Sequence, residues 1–235
     1  MRAAPDAISH AVPSLRPAEI VRRLGPHPGA RAGLDLSRDA DAFRWLALAL
    51  LLASGADEER ALAALRALPE SLAGADAAAL AALLTRERVP KPEPVAATLV
   101  RAARAFAERW GGSLARLASE ADDLETLGSR LAALAPGVGR ATVLRFLRPL
   151  RDQLDGAREV PLTPAARAAA IDVGWITEGD DEEGEPVSLR ARIGRDPETP
   201  PLADVEAALE RLGTASCLRE RSARCPLGVG CPRRT

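Results

Sequence analysis

A pair of closely spaced glycines stands in the stretch 131–145, LAALAPGVGRATVLR, between the end of one apolar run and the start of another. Gly137 and Gly139 permit positive φ angles and a close approach of the backbone, so the amides around Val138 can point at a single anion. A helix that starts near Arg140 adds the positive end of its dipole. The pattern predicts a helical hairpin that binds phosphate, with an ordinary helix–helix turn as the alternative.

The side chains after this turn suit a phosphate backbone. Thr142 and Arg145 lie on the predicted helix, and Arg148 and Arg151 extend the same basic cluster. Because the formal net charge of the chain is only −1, any contact with nucleic acid has to be local, and a solvated helix face is the alternative for these arginines. A second basic cluster crowds the C-terminus, with Arg219, Arg221, Arg224, Arg233 and Arg234.

Three cysteines lie within fifteen residues near the C-terminus: Cys217, Cys225 and Cys231. The N-terminus has no apolar leader and no apolar run is long enough to span a bilayer, which predicts a cytoplasmic protein without disulfides. The thiols can ligate zinc with a fourth donor, although His10 and His27 are distant in sequence. Packing of a loop without any metal is the other alternative.

Composition and periodicity predict an all-α protein. Alanine, leucine and arginine dominate, and apolar residues recur at spacings of three and four. The predicted helices are 17–24, 43–53, 57–68, 76–86, 94–110, 122–134, 142–154, one that begins with Thr163 as its N-cap and Pro164 as its first residue, and 202–212.

Three further expectations concern local structure. The helix at 43–53 is apolar all round and is expected to be central and buried, with Ser37, Asp39 and Asp41 as capping side chains. The stretch 187–193 is expected to be a short strand or an extended connector. The stretch 178–185 has six carboxylates in eight positions and is expected to be a solvated acidic loop.

The order of these features resembles the endonuclease III-like family of helix-hairpin-helix (HhH-GPD) DNA glycosylases, which remove damaged bases in base excision repair. The segment FRWLALALLLAS resembles that family's early core helix, APGVGRATV its hairpin LPGVGRKTA, and PLTPAARAAAIDVGW its PVDTHVRRVxxRLGW. The tail GTASCLRERSARCPLGVGCP resembles its four-cysteine iron–sulfur loop.

The resemblance implies a two-lobed all-α fold. Residues 42–154 would form a six-helix domain that ends in the helix-hairpin-helix, and residues 1–41 with 155–235 a second helical domain with the acidic loop and the cysteine loop 217–231. Double-stranded DNA would lie in the cleft between the lobes, and residues 137–140 would hold a phosphate.

The resemblance does not extend to the family's catalytic residues. Ala141 replaces the lysine that attacks the sugar, and the only lysine of the chain is Lys91, in the proline-broken VPKPEP, which leaves the amine of Met1 as the only substitute. Thr163 replaces the aspartate that stabilises the developing positive charge. We therefore expect a DNA-binding protein without Schiff-base lyase chemistry, in which glycosylase chemistry is lost or much reduced.

Two alternatives stay open. The first is an active monofunctional DNA N-glycosylase that uses water and takes a relocated carboxylate from Glu159, Asp155 or Asp152. This alternative has to extrude a base although Ser54 and Gly55 replace the family's inserted glutamine. The second alternative is a protein-interaction module on the same fold.

The family's cysteine pattern is C-x6-C-x2-C-x5-C. Cys225 and Cys231 keep the final spacing, Cys217 serves as the first ligand if two residues are deleted, and Ser222 stands where a further cysteine is expected. Three of four ligands can hold a 4Fe–4S cluster with an outside fourth ligand, so a cluster is expected beside the zinc and metal-free alternatives. The resemblance implies a nucleoid-associated monomer without membrane contact, with a repair protein as a further partner.

Overall fold

A computed structural model describes residues 15–179, 184–194, 198–219 and 225–228. Within these ranges the chain is all-helical and contains no strand, which confirms the predicted all-α class. The helices are α1 (Pro17–Leu24), α2 (Pro28–Arg31), α3 (Asp39–Ala53), α4 (Glu58–Ala67), α5 (Ala77–Arg86), α6 (Pro92–Trp110), α7 (Leu114–Ala118), α8 (Leu124–Ala132), α9 (Arg140–Leu147), α10 (Pro164–Asp172), α11 (Glu185–Ile193) and α12 (Leu202–Ala215).

The described residues form two compact units. The larger unit comprises 26–162 with 184–186, and the smaller unit comprises 15–25, 163–179 and the described residues from 187 onward. The boundaries therefore fall after residues 25 and 162 rather than after the expected residues 41 and 154. None of the described helices is both long and apolar enough to cross a membrane.

Contacts of named side chains explain where these boundaries fall. His27 packs its ring against Trp45 in the core of the larger unit, with the ring centroids 4.3 Å apart. At the other boundary, the Nε of Arg151 donates a hydrogen bond to the carbonyl oxygen of Val160 at 2.8 Å. Both flanking segments are thus held by the larger unit.

Helix α3 is the centre of the larger unit, as predicted. Every residue from Trp45 to Leu51 is buried, because the helix is apolar on all sides and is surrounded by other helices. The indole Nε1 of Trp45 donates to the carbonyl oxygen of Phe146 at 2.9 Å, which ties α3 to α9. The core helix and the hairpin therefore form one packed body.

The predicted capping of α3 is wrong. Its N-cap residue is Arg38, whose guanidinium cannot accept a hydrogen bond from a helix amide, and the nearby carboxylates make other contacts. Asp39 accepts from the amide of Leu114 at 2.7 Å, and Asp41 accepts from the amide of Asp35 at 3.2 Å. These contacts fix α7 and the segment before α3 instead.

The predicted helices all occur, but α9 is shorter than expected. It ends at Leu147 rather than Leu154, and a 3-10 turn, Arg148–Leu150, follows it. Pro149 lies in that turn and cannot donate to a continuing α-helix. Two short helices, α2 and α7, are additional to the prediction.

The stretch 187–193 is helical, so the predicted strand or connector is wrong. Apolar residues alternate along this stretch, which is typical of a strand, but the structure buries only Leu189 and Ile193. These two are four residues apart on one helical face, while Val187 is 67% exposed. The acidic stretch 178–185 lies partly outside the described residues, and Glu185 is the first residue of α11.

The smaller unit is built on the pair α10 and α12. The two helices are so close that a Cβ atom added at Gly213 would meet the carbonyl oxygen of Ala165. Helix α1 packs on α12 as well, since Nη1 of Arg211 donates to the carbonyl oxygens of Leu24 and Gly25 at 3.2 and 2.8 Å. A glycine at residue 213 is therefore what lets α10 lie directly against α12.

Candidate nucleic-acid interface

The predicted hairpin consists of α8, a tight turn over residues 133–139, and α9. Asp123 caps the start of α8 by accepting a hydrogen bond from the amide of Thr126 at 2.7 Å. Within the turn Gly137 has a φ of +103°, a backbone conformation that residues other than glycine rarely adopt. Gly139 has a φ of −90° and is the N-cap of α9, so only the first glycine uses the positive φ expected of both.

Gly137 is also required by the close packing of the turn on α6. A Cβ atom at this position would lie 2.5 Å from Oγ1 of Thr98. The same hydroxyl donates to the carbonyl oxygen of Pro136 at 3.0 Å. Sequence reasoning missed Thr98, because a single threonine in an amphipathic helix carries no signal that it faces a turn 38 residues later.

Further contacts hold the turn in one conformation. Nη1 of Arg109 donates to the carbonyl oxygen of Ala133 at 3.0 Å. The side chain of Val138 is buried, and its amide donates to the carbonyl oxygen of Ala135 at 3.1 Å. The amide of Val138 is thus already used inside the turn, so the anion-facing amides must come from the next residues.

The amides at the start of α9 have no acceptor among the described residues. An α-helix leaves its first amides without intrahelical partners, and no side chain caps α9. Gly139, Arg140 and Ala141 are exposed, and the space where a Cβ of Gly139 would lie is empty within 4 Å. The amides concerned belong to residues 139–142. Unpaired amides at the positive end of a helix dipole have the chemistry that an anion requires.

Two of the arginines predicted beside the hairpin are available to a ligand. Arg140 is exposed and Arg145 is half-buried, and neither side chain makes a hydrogen bond or ion pair with the described residues. Thr142 is only 2% exposed, so its hydroxyl is not available at the surface, although its amide has no acceptor among the described residues. The site therefore combines backbone amides with two cationic side chains.

The other two predicted arginines are used inside the fold. Arg151 is 2% exposed and its Nη2 donates to the carbonyl oxygens of Val160 and Pro161 at 2.5 and 3.1 Å. Nε of Arg148 donates to the same Pro161 carbonyl at 3.2 Å. Both guanidinium groups thus fold the segment after α9 back on itself.

This segment turns next to the start of α8. A Cβ at Gly156 would lie 2.5 Å from the carbonyl oxygen of Ala121. Of the three carboxylates considered as catalytic substitutes, Asp155 pairs with Arg158 at 2.6 Å, and Asp152 is exposed. Glu159 is exposed and lines a groove between α8 and α9.

The two positions at which the resemblance implies a lysine and an aspartate, residues 141 and 163, differ in their surroundings. Ala141 is exposed in the first turn of α9. Thr163 is buried and caps α10, as predicted, since its Oγ1 accepts from the amide of Ala166 at 3.1 Å. Lys91 is the exposed N-cap residue of α6, with a φ of +52°, so the only lysine lies on a different helix from the hairpin.

The described part of the cysteine loop contributes two thiols. Cys217 is half-buried in a 3-10 turn and Cys225 is buried, while Cys231 and Ser222 lie outside the described residues. No group of three potential metal ligands occurs among the residues that the structure describes. Two thiolates are fewer than an iron–sulfur cluster requires, so the described residues alone do not make such a site.

The second basic cluster falls mostly outside the described part of the chain. Arg219 is exposed at the end of the 3-10 turn that begins at Cys217. The members outside the described residues are Arg221, Arg224, Arg233 and Arg234.

Comparison with known proteins returns no relative of this chain: no family model matches it, and no curated protein or solved structure matches it.

Proposed function

We propose that this chain binds duplex or damaged DNA through the backbone of its hairpin, as a divergent member of the endonuclease III-like HhH-GPD class. The observation that supports this most strongly is the uncapped start of α9, where the amides of residues 139–142 have no acceptor among the described residues. A phosphate oxygen is an anionic acceptor of the kind that such a helix end favours. The buried contacts of Thr98 and Val138 hold these amides in place before any ligand arrives.

Binding of this kind depends on the DNA backbone and not on its sequence. Amides, Arg140 and Arg145 all offer donors to phosphate, and none of them is placed by a base-reading motif. Because each neutralised phosphate releases counterions, the affinity should fall steeply as the salt concentration rises.

The proposed activity does not include Schiff-base lyase chemistry, and glycosylase chemistry is lost or much reduced. Ala141 has no amine, and Lys91 lies at the start of another helix. Thr163 uses its hydroxyl as a helix cap and carries no negative charge at neutral pH. The hairpin can therefore persist as a DNA-binding element without the two groups that perform the family's reaction.

A monofunctional glycosylase is the second candidate, on the strength of one observation. The fold-back after α9 brings Glu159 into a groove that is also lined by Arg140. A carboxylate there is the relocated group that this candidate requires.

The DNA-binding proposal can be tested with a charge introduced at the open helix end. We expect Gly139→Asp to weaken binding of a fluorescently labelled duplex about tenfold or more, because the new carboxylate caps the amides and repels phosphate. Gly74→Asp is the matched control, since Gly74 is exposed, has a negative or extended φ and has nothing within 4 Å of its added Cβ. Equal losses for the two variants, or no loss for either, would contradict the proposal.

The chemical question needs a separate measurement of base release. Duplexes that carry a panel of lesions are incubated under single-turnover conditions, and abasic sites are revealed with hot alkali. We expect no release from any duplex that the protein binds. Strand cleavage that appears only after alkali would support the monofunctional candidate, and Glu159→Gln, Asp155→Asn and Asp152→Asn would then identify the carboxylate.

A further inference from the structure

The groove between α8 and α9 shares only Arg140 with the proposed phosphate site. Its volume is about 760 Å³. The helices approach closely at Gly128, where an added Cβ would lie 3.5 Å from Cγ1 of Val143. Leu124, Ala132 and Leu144 supply further apolar surface along the groove, and none of these three is buried. The floor thus offers apolar contact area to a ligand.

The rim of the groove is acidic. Its lining includes three carboxylates, Asp123, Glu125 and Glu159, and one cation, Arg140, which together carry a formal net charge of −2. Glu125 and Glu159 are exposed, and their carboxylates make no hydrogen bond or ion pair with the described residues. Hydrogen bonds from the backbone and then the hydroxyl of Thr126 hold the pKa of Asp123 below its ordinary value, so this carboxylate is anionic at neutral pH.

This combination of charge and shape limits what the groove can bind. A phosphate backbone would be repelled by the rim, so the groove is not an extension of the hairpin's anion site. A volume of about 760 Å³ accommodates a few side chains rather than a folded domain. An amphipathic helix places apolar side chains on one stripe and charged ones beside it, which matches an apolar floor with a charged rim.

We propose that the groove binds a cationic amphipathic helix of a partner protein. Leucine-like side chains of that helix would lie on Leu124 and Leu144, and its lysines or arginines would pair with Glu125 and Glu159. The side chains proposed to contact the helix, Leu124, Leu144, Glu125 and Glu159, lie outside residues 139–142, and only Arg140 belongs to both sites.

The probe for the test is a short synthetic helix with leucines at positions i, i+4 and i+7 and lysines on either side. Its counterpart has glutamate in place of every lysine. We expect the cationic peptide to shift the amide resonances of Gly128, Ser129 and Leu144 in a ¹⁵N-labelled protein, and we expect the anionic peptide not to do so.

Two substitutions at one exposed position give a matched pair. Ala132 lies at the end of α8 and lines the groove, so a larger side chain there should not disturb the core. We expect Ala132→Arg to lower the affinity for the cationic peptide about tenfold. We expect Ala132→Glu to leave that affinity unchanged or to raise it. The affinity for DNA should rise or stay unchanged in Ala132→Arg, and fall or stay unchanged in Ala132→Glu. Failure of the peptide proposal can therefore be distinguished from failure of the DNA-binding proposal.

Neutralisation of the rim gives an independent readout. The double variant Glu125→Gln, Glu159→Gln should lower the affinity for the cationic peptide about fivefold, since two exposed ion pairs are lost. The matched control is Glu93→Gln with Glu108→Gln, two exposed carboxylates on α6. Circular dichroism would establish that all variants remain folded.

Several results would overturn the proposal. Resonance shifts outside the groove, or equal losses for the two double variants, would show non-specific charge attraction. Identical shifts with spermidine would indicate a small-cation site. Concentration-dependent shifts in the protein alone would identify a second copy of the chain as the occupant.

Discussion

Two helices of this protein begin in opposite ways. Helix α10 begins after Thr163, whose hydroxyl accepts from the amide of Ala166 at 3.1 Å. Helix α9 begins after Gly139, which has no side chain, and its first amides have no acceptor among the described residues. At the start of α10 a side chain accepts a hydrogen bond from a helix amide, whereas the amides at the start of α9 remain able to bind an anion.

The difference separates the helix start that the proposed DNA binding requires from one that only stabilises the fold. The resemblance implies an aspartate at residue 163, but the hydroxyl of Thr163 also caps α10, so the start of this helix does not require a charged side chain. Gly139 has no such structural task, because an added Cβ would meet nothing within 4 Å. An exposed helix end without a cap costs stability and is consistent with a binding role.

The largest expected effect is on the support of the capped helix. Gly213→Ala should lower the free energy of unfolding by about 3 kcal/mol or more, because the new methyl group collides with the backbone of α10 at Ala165. Urea unfolding monitored by circular dichroism measures this. Gly128→Ala is the control, since its Cβ would be in ordinary contact with Val143 at 3.5 Å. A loss under about 1 kcal/mol for Gly213→Ala would refute the tight packing of α10 on α12.

The next effect concerns the support of the uncapped helix. Gly137→Ala should cost about 2 to 3 kcal/mol, because alanine combines a strained φ of +103° with a Cβ 2.5 Å from Oγ1 of Thr98. Gly139→Ala, two residues later, should cost less than about 1 kcal/mol. Thermal unfolding of the two variants compares them directly. Similar losses for both would mean that the turn does not depend on Gly137 in the way described.

Removal of the side-chain cap of α10 should have a smaller effect on stability. Thr163→Ala should lower the free energy of unfolding by about 1 to 2 kcal/mol, since the amide of Ala166 loses its acceptor. Thr163→Asp should retain most of the wild-type stability, because aspartate is at least as good an N-cap as threonine. Chemical denaturation of the pair decides the matter, and equal stability of Thr163→Ala and the wild type would rule out the capping role.

The smallest effect on stability has the opposite sign. Gly139→Asp should raise the free energy of unfolding by about 0.5 kcal/mol, because it supplies α9 with the cap and the negative charge that it lacks. The melting temperature should therefore rise while DNA affinity falls. A variant that loses both stability and affinity would show that the residue acts through folding alone.

Much of the helical framework could be predicted from the sequence. Local signals were sufficient for α1 and for the cap at Thr163, where proline and a hydroxyl residue mark the helix start. The alternating apolar residues in 187–193 indicate a strand, but the stretch is helical. Local sequence does not decide between the two, because the outcome depends on which side chains the rest of the chain buries. The end of α9 was placed too late, although Pro149 was visible in the sequence.

The site was predictable in its backbone and not in its side chains. Gly137 indicates the turn because the turn needs a positive φ at this residue, and that need can be recognised from the local sequence. Arg151 was expected on the surface but is buried against the carbonyls of Val160 and Pro161, a contact that depends on how the following segment folds back. Thr98 acts on the hairpin from another helix, so its role depends on tertiary structure.

The most direct test of the account is to follow the backbone amides of residues 139–142 as a short undamaged duplex is added to ¹⁵N-labelled protein. We predict that these four resonances shift most among the described residues and that the shifts diminish as salt is raised. Binding that leaves these resonances unmoved, or an absence of binding at low salt, would contradict the assignment of the start of α9 as a phosphate site.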